Sequence, residues 1–254
     1  MSEAVGAVKA LWRFPVKSMR GAKVEAADLT EAGLAGDRAY ALVDADNGEV
    51  MTGKAPKLGP KLFRCRAEFV EAPGQGDEPP PVRITLPDGS SVRSDAPDVH
   101  ATLSGFLGRP VTLERAAPPE FSAGAFFDLF PVSVLTTSTL DRLRELGPGS
   151  RFDERRFRMN VIVDTRETGF VENGWTGHRL RIGDAVQLGV TIPDPRCVMT
   201  TLAQDELPKD PGVLRTLARE NKLEVAGGLY PCAGVYAVVA SGGTIRTGDR
   251  VSLM

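Results

Sequence analysis

Two stretches of this 254-residue chain, Arg181–Leu188 and Arg246–Leu253, spell the same pattern, R-x-G-D-x-V-x-L. In each, Gly-Asp makes a tight turn, and the Val and Leu two residues apart point to one face of the strand that follows. Two copies fall short of a repeat array, so the pair reads as two similar β-turns in one barrel. The rest of the chain is punctuated in the same way. Val8–Phe14 alternates apolar and polar residues ahead of Pro15, as a half-buried strand does. Arg38–Asp44 is a more continuous apolar run closed by Asp46-Asn47-Gly48. Val82–Leu86 and Ser91–Arg93 flank the turn Pro87-Asp88-Gly89 and form a hairpin, and Val132–Leu135 is a further strand. Glu71–Pro81, rich in Pro, Gly and acidic residues, reads as a solvated loop. Helices are few. One spans Asp98–Leu107, and one carries Leu140, Leu143 and Leu146 on a single face until Gly147-Pro148-Gly149 stops it. Another opens with Asp210 as N-cap and Pro211 at the first position, with Val213, Leu214, Leu217 and Ala218 on one side. Many short strands with Gly/Asp turns and few helices predict a mainly β fold with a few helices (α+β), built as a closed or nearly closed β-barrel.

Charge and cysteine usage narrow the function classes. The 31 basic and 33 acidic residues leave a net charge of −2, which argues against a nucleic-acid-coating protein. No window approaches the ~20 apolar residues that span a bilayer, and the opening residues lack the basic and apolar regions of a secretion signal. A cytoplasmic protein with no membrane partner is therefore expected. Cys65, Cys197 and Cys232 are odd in number and far apart, which suits reduced thiols rather than a disulfide framework.

Familiar catalytic constellations are missing. Only His100 and His178 exist, and there is no H-E-x-x-H, C-x-x-C, P-loop or G-x-G-x-x-G following a strand. What stands out is a series of small polar and cationic clusters at the ends of apolar strands. These are Pro15-Val16-Lys17-Ser18, Gly36-Asp37-Arg38, Thr136-Thr137-Ser138, Arg156-Phe157-Arg158-Met159-Asn160 and Pro195-Arg196-Cys197-Val198-Met199-Thr200-Thr201. Lys, Arg and hydroxyls at helix starts are groups that hold a phosphate. A cysteine beside an arginine is a candidate thiolate, since positive charge favours the ionised form. Each cluster also has a plain structural alternative. A free cysteine is often a small buried hydrophobe, which is how Cys65 and Cys232 read. Thr136 and Thr137 suit N-caps, and the Arg151–Arg158 run suits a solvated charged turn.

Taken in order, these clusters resemble the MOSC (molybdenum cofactor sulfurase C-terminal) family, in its two-part form with an N-terminal β-barrel segment. The likeness runs over nearly the whole chain. It begins at Phe14–Ser18 and Gly33–Arg38, passes through Phe157–Val161 and the signature Pro195–Thr201, and closes with Gly234-Val235-Tyr236 and Ile245–Val251. It implies a MOSC N-terminal β-barrel segment over 1–115 and a MOSC domain over 116–254. It also implies a molybdenum cofactor (Mo-molybdopterin), with Cys197 as the catalytic cysteine and metal ligand. A soft, deprotonated thiolate suits such a sulfur-rich centre. Lys17, Ser18, Arg38, Thr136, Thr137, Arg158, Asn160 and Arg196 would bind the cofactor's phosphate and pterin edges, with Tyr236 as a weaker carry-over. Pyridoxal phosphate binding is a further association of the family. The implied activity is reduction of an N-hydroxylated (N-oxygenated) small-molecule substrate. Electrons would come from a separate donor protein of ferredoxin, flavodoxin or reductase type, because three dispersed cysteines cannot hold an iron–sulfur cluster. The alternative is a sulfur or molybdenum-cofactor carrier using the same cysteine. After Thr201 the sequence departs from the family's short D-P-x-x-G turn and continues Leu202–Asp210, a loop that the resemblance sets beside the metal site.

Overall fold

Alternation in short apolar strands needs a partner on each side, and here seven strands supply it by closing into a ring. They are β1 (Glu3–Arg13), β2 (Val132–Thr136), β3 (Val161–Asp164), β4 (Arg179–Ile182), β5 (Val186–Pro195), β6 (Gly228–Ser241) and β7 (Arg250–Leu253). The order around the barrel is β2-β3-β1-β7-β4-β5-β6, and β6 pairs back onto β2. Neighbours are antiparallel except β2 and β3, which run parallel. A parallel pair needs a crossover, and the helix Thr137–Leu146 lies within the connection between them. This is the mainly β architecture with few helices that the turn chemistry predicts.

The chain is described here from a computed structural model covering residues 3–55, 57–74, 78–116 and 126–254. Residues 75–77 of the Glu71–Pro81 loop, and 117–125 just past the expected domain boundary, lie outside that set. Two compact units emerge: Met1–Trp12, Lys23–Leu34 and Leu129–Met254 form the first, and Arg13–Ala22 with Ala35–Asp128 the second. Met1–Trp12 and Lys23–Leu34, although early in the chain, thus group with its later part.

Within the first unit the period of two decides which residues fill the barrel. Val132, Val134, Val161 and Val163 point inward beside Leu180, Ile182, Val186, Leu188, Val235 and Val251. The intervening Leu135 and Ile162 point outward, under Leu140, Leu143, Val213 and Leu217 of the helices Thr137–Leu146 and Pro211–Glu220. In β1 the register shifts between Val8 and Ala10. Leu11 joins the interior while Ala10 joins the outer layer, so this end of the strand is covered on both faces rather than half-buried. The two R-x-G-D-x-V-x-L copies also differ in use. The first closes the β4–β5 hairpin, with Ile182 opposite Val186. In the second, Gly243–Arg246 pairs with Ala26–Thr30, while β7 pairs with β1 and β4.

The second unit has its own core. Tyr40–Asp44 pairs with Val111–Arg115, and Arg66–Phe69, Val82–Thr85 and Ser91–Arg93 form a three-stranded meander. Leu42, Ile84, Val92 and Leu113 pack there against Leu103 and Leu107 of the helix Val99–Leu107.

Candidate functional site

Strand β5 ends at Pro195, opposite Cys232 of β6. The Arg196 N–H then donates to the Pro231 carbonyl at 2.7 Å, which ties the chain to β6 as it leaves the barrel wall. Cys197 is extended and caps the short 3-10 turn Val198–Thr201. Its carbonyl accepts from the Thr200 N–H at 3.2 Å and the Thr200 hydroxyl at 3.0 Å. Cys197 is left half-buried, whereas Cys65 and Cys232 are buried. Burial pushes both of those thiols up to about 11, and they donate to the carbonyls of Lys61 and Tyr230. Thiols protonated at neutral pH in this way behave as small packing groups.

The Arg196 side chain turns back under its own strand. Its guanidinium pairs with the buried Asp194 carboxylate, donates to the Phe157 carbonyl, lies over the Phe157 ring at 5.8 Å and reaches Met159 Sδ at 3.6 Å. Arg158 lies between those two residues, buried and at φ +55°, a left-handed backbone that a bulky residue adopts only when its surroundings impose it. Asn160 follows and is almost wholly enclosed. Its Oδ1 accepts from the Ser133 N–H at 3.1 Å and the Ser133 hydroxyl at 3.0 Å, and Nδ2 donates to the Trp12 carbonyl at 3.4 Å. The amide thereby joins the starts of β2 and β3 to β1. Tyr236 pairs with Ser133 across β6 and β2, its ring 5.8 Å from that of Phe130. Gly234 just before it has φ +81°, and a Cβ there would fall 2.6 Å from the Val134 carbonyl oxygen. The barrel unit thus brings Arg158, Asn160 and Arg196 together, with Tyr236 linked through Ser133.

Thr136 and Thr137 are engaged elsewhere. The Thr136 hydroxyl accepts from the Thr139 N–H at 3.2 Å as the helix N-cap and donates to Glu172 Oε2 at 2.6 Å. Thr137 donates to Asp164 at 3.0 Å and accepts from the Thr165 N–H at 3.2 Å. The N-cap alternative therefore describes Thr136. Glu172, which sequence reasoning missed, is completely buried and also accepts from the Thr139 hydroxyl at 2.7 Å. Removal from water raises its pKa against the opposing effect of these hydroxyl bonds, and Oε1 has no hydrogen-bond partner among the described residues. No periodic signal marks Glu172, since it sits in the isolated 3-10 turn Val171–Trp175.

The second unit carries Lys17, Ser18 and Arg38. Phe14–Lys17 runs beside Arg38–Tyr40 through Arg38 N–H to Phe14 O (2.7 Å), Tyr40 N–H to Pro15 O (3.0 Å) and Lys17 N–H to Tyr40 O (2.8 Å). Lys17 Nζ donates to the Phe126 carbonyl and to Asp128 Oδ1, each at 2.8 Å. Burial lowers the Lys17 pKa, and Asp128 partly restores it. Burial also works against ionisation of Asp128, but the Lys17 and Lys54 ammonium groups outweigh it and hold that carboxyl well below the usual range. Arg38 pairs with Asp37 and lies 5.0 Å over the Phe14 ring, and the Ser18 hydroxyl accepts from the Gly53 N–H at 2.8 Å. Ser18 and Arg38 have φ +66° and +51°. Three of the five non-glycine residues with positive φ among the described residues are thus Ser18, Arg38 and Arg158. Strain of this kind concentrates where a fold sets side chains for a ligand.

The fold and these clusters define a MOSC protein, and the chain belongs to that family: a MOSC N-terminal beta barrel domain matches residues 5–117 and a MOSC domain residues 123–252. Among curated relatives it is similar to human mitochondrial amidoxime-reducing component 1, at 25% identity over 99% of this chain and 84% of that protein. Bovine mitochondrial amidoxime reducing component 2 is 28% identical with the same two coverages. Rice molybdenum cofactor sulfurase is 26% identical over 83% of this chain, which spans 30% of that longer protein. The crystal structure of the YUAD protein from Bacillus subtilis shares the fold, with a TM-score of 0.51 at 12% identity and coverage of 100% and 98%. Among the described residues no helix is long and apolar enough to cross a membrane.

Proposed function

We propose that this chain is a molybdenum-cofactor-dependent oxidoreductase that reduces N-hydroxylated small molecules with electrons from a separate redox protein, and that Cys197 is the protein's ligand to molybdenum. The observation that carries this reading is the presentation of Cys197. Of the three thiols only this one is not buried, and it follows an arginine locked in place by Asp194 and Phe157. The relatives named for amidoxime reduction supply the substrate class. The donor set fits the group. Cys197 offers one half-buried soft sulfur, which suits a centre that takes its other sulfurs from a pterin dithiolene. When bound, the cofactor supplies a two-electron centre able to take oxygen from an N–O bond.

The chain's own residues orient and neutralise. Arg196 fixes the backbone on which Cys197 rides, and Arg158, whose two chain neighbours contact Arg196, carries a second positive charge. Lys17 and Arg38 are cations of the kind that hold a phosphate, with Ser18 beside Lys17. Asn160 and Thr136 contribute mainly by fixing the backbone around Arg158 and at the end of β2. Tyr236 and Thr137 complete the proposed cofactor-binding set. Pyridoxal phosphate gains no support from the relatives. Their mitochondrial names point to a compartment other than the cytoplasm expected from the sequence.

Protein made in a molybdopterin-competent host is expected to carry about one molybdenum per chain. Cys197→Ser should lose the metal and the reduction of benzamidoxime by a chemical electron donor while keeping its circular dichroism. Undiminished turnover in that variant overturns the ligand assignment. The match to the rice sulfurase favours a second reading, in which Cys197 carries sulfur or the cofactor for delivery. Cyanolysable sulfur on Cys197 in metal-free protein would select it.

A further inference from the structure

Arg155 and Arg156 have no place in the ligand set above, yet they hold one loop from two sides. Among the described residues Arg156 is the largest fully enclosed side chain, at 0% exposure. Its guanidinium donates to four main-chain carbonyls: Nε to Arg151 at 2.9 Å, Nη1 to Leu202 at 3.2 Å and Thr200 at 3.4 Å, and Nη2 to Pro208 at 2.8 Å. Arg155 grips the outside of the same loop. It makes two hydrogen bonds to Glu206, at 2.6 and 3.2 Å, while two more at 2.8 Å hold it to Asp153. The loop is also closed by its own backbone. The Asp210 N–H donates to Thr201 at 2.8 Å, and Gln204 and Leu207 exchange bonds of 2.9 and 2.8 Å. This is the segment Leu202–Asp210, where the sequence departs from the family's turn.

We infer that Arg156 is a positioning residue for Cys197. The path is short: Arg156 holds the Thr200 carbonyl, and the Thr200 N–H and hydroxyl hold the Cys197 carbonyl. A buried guanidinium is costly unless its donors are satisfied, and here carbonyl dipoles take the place of water. Lysine has the charge but only a single nitrogen, so it cannot reach four carbonyls spread over three segments. The run Arg151–Arg158 is therefore a solvated turn on one side and a staple on the other.

This inference takes its catalytic meaning from the reading of Cys197 as a metal ligand, but its test does not depend on that reading. The full chain is compared with Arg156→Lys, and with Leu103→Ala as a destabilised control far from Cys197 in sequence and core. Metal-free protein is alkylated with iodoacetamide, and the Cys197 rate is resolved by peptide mass spectrometry. Arg156→Lys is expected to raise that rate about tenfold as the loop loosens, while Leu103→Ala lowers the melting temperature and leaves the rate unchanged. An unchanged rate in folded Arg156→Lys, or an equal rise in the control, overturns the inference. If Arg156→Lys does not fold, hydrogen exchange in the unsubstituted chain decides. Slow exchange at the Leu202, Leu207 and Asp210 amides supports the staple, and exchange at unprotected rates overturns it. Molybdenum content, measured separately, reports only on the proposed function.

Discussion

Asn160 offers a direct test of whether a cofactor-contact candidate works on the ligand or on the fold. In Asn160→Ala the Ser133 N–H loses its acceptor inside the barrel wall, and the Ser133 hydroxyl loses one of its two bonds. The hydroxyl keeps its contact with the Asn160 main-chain N–H at 3.2 Å, and the 3.4 Å contact to Trp12 adds little. An unsatisfied buried N–H costs ~1–3 kcal/mol and an ordinary lost hydrogen bond ~1 kcal/mol, so the total is about 2–4 kcal/mol. For domains of this size ~1 kcal/mol moves the melting temperature by roughly 2–4 °C, which predicts a drop of roughly 5–15 °C. The assay is thermal unfolding of metal-free protein followed by circular dichroism, since a bound cofactor would add its own stabilisation. A purely ligand-contacting asparagine would leave the metal-free melting point untouched. An Asn160→Ala protein that melts within about 1 °C of the unsubstituted chain would refute the structural role worked out from these bonds.

Two further outcomes follow from other parts of the barrel unit. Glu172 has a raised pKa, so from its ordinary value of 4.5 upward the folded state holds a proton that the unfolded state has released. Stability should fall by about 1.4 kcal/mol per pH unit across that window, and Glu172→Gln should remove this component. Urea unfolding at pH 4 and pH 8 checks it, and a gap between the two proteins that does not change with pH would count against the buried-carboxyl account. At the hairpin Val225–Gly228, Ala226 and Gly227 take φ +49° and +80°. Ala226→Gly should therefore relieve a left-handed alanine and stabilise by about 0.5–1 kcal/mol. A lower denaturation midpoint would contradict that.

Local chemistry made much of the fold legible. The Pro87-Asp88-Gly89 turn, the Asp210-Pro211 helix start and the Gly147 stop all lie where the residues place them. Closure into a barrel was expected, but its strand order was not legible, because β1 finds its partners at Asp164 and Leu253, and alternation within a strand says nothing about which distant strand lies beside it. The same holds for Lys23–Leu34, whose packing with the later chain leaves no mark on its composition. At the candidate site, residue types pointed to Cys197, Arg158 and Lys17. The left-handed backbone at Ser18, Arg38 and Arg158 is imposed by tertiary surroundings and has no counterpart in the letters. Glu172 escaped notice, and the burial of Arg156 within its named cluster was not foreseen, for a related reason: a charged residue inside a turn looks solvent-facing until the fold covers it.

Because Glu3 lies opposite Leu253 and Ala4 opposite Ser252, the wall is completed by strands that lie far apart along the chain. During translation β1 must wait for one of its neighbours until Arg250–Leu253 has left the ribosome, and such distant pairing slows assembly.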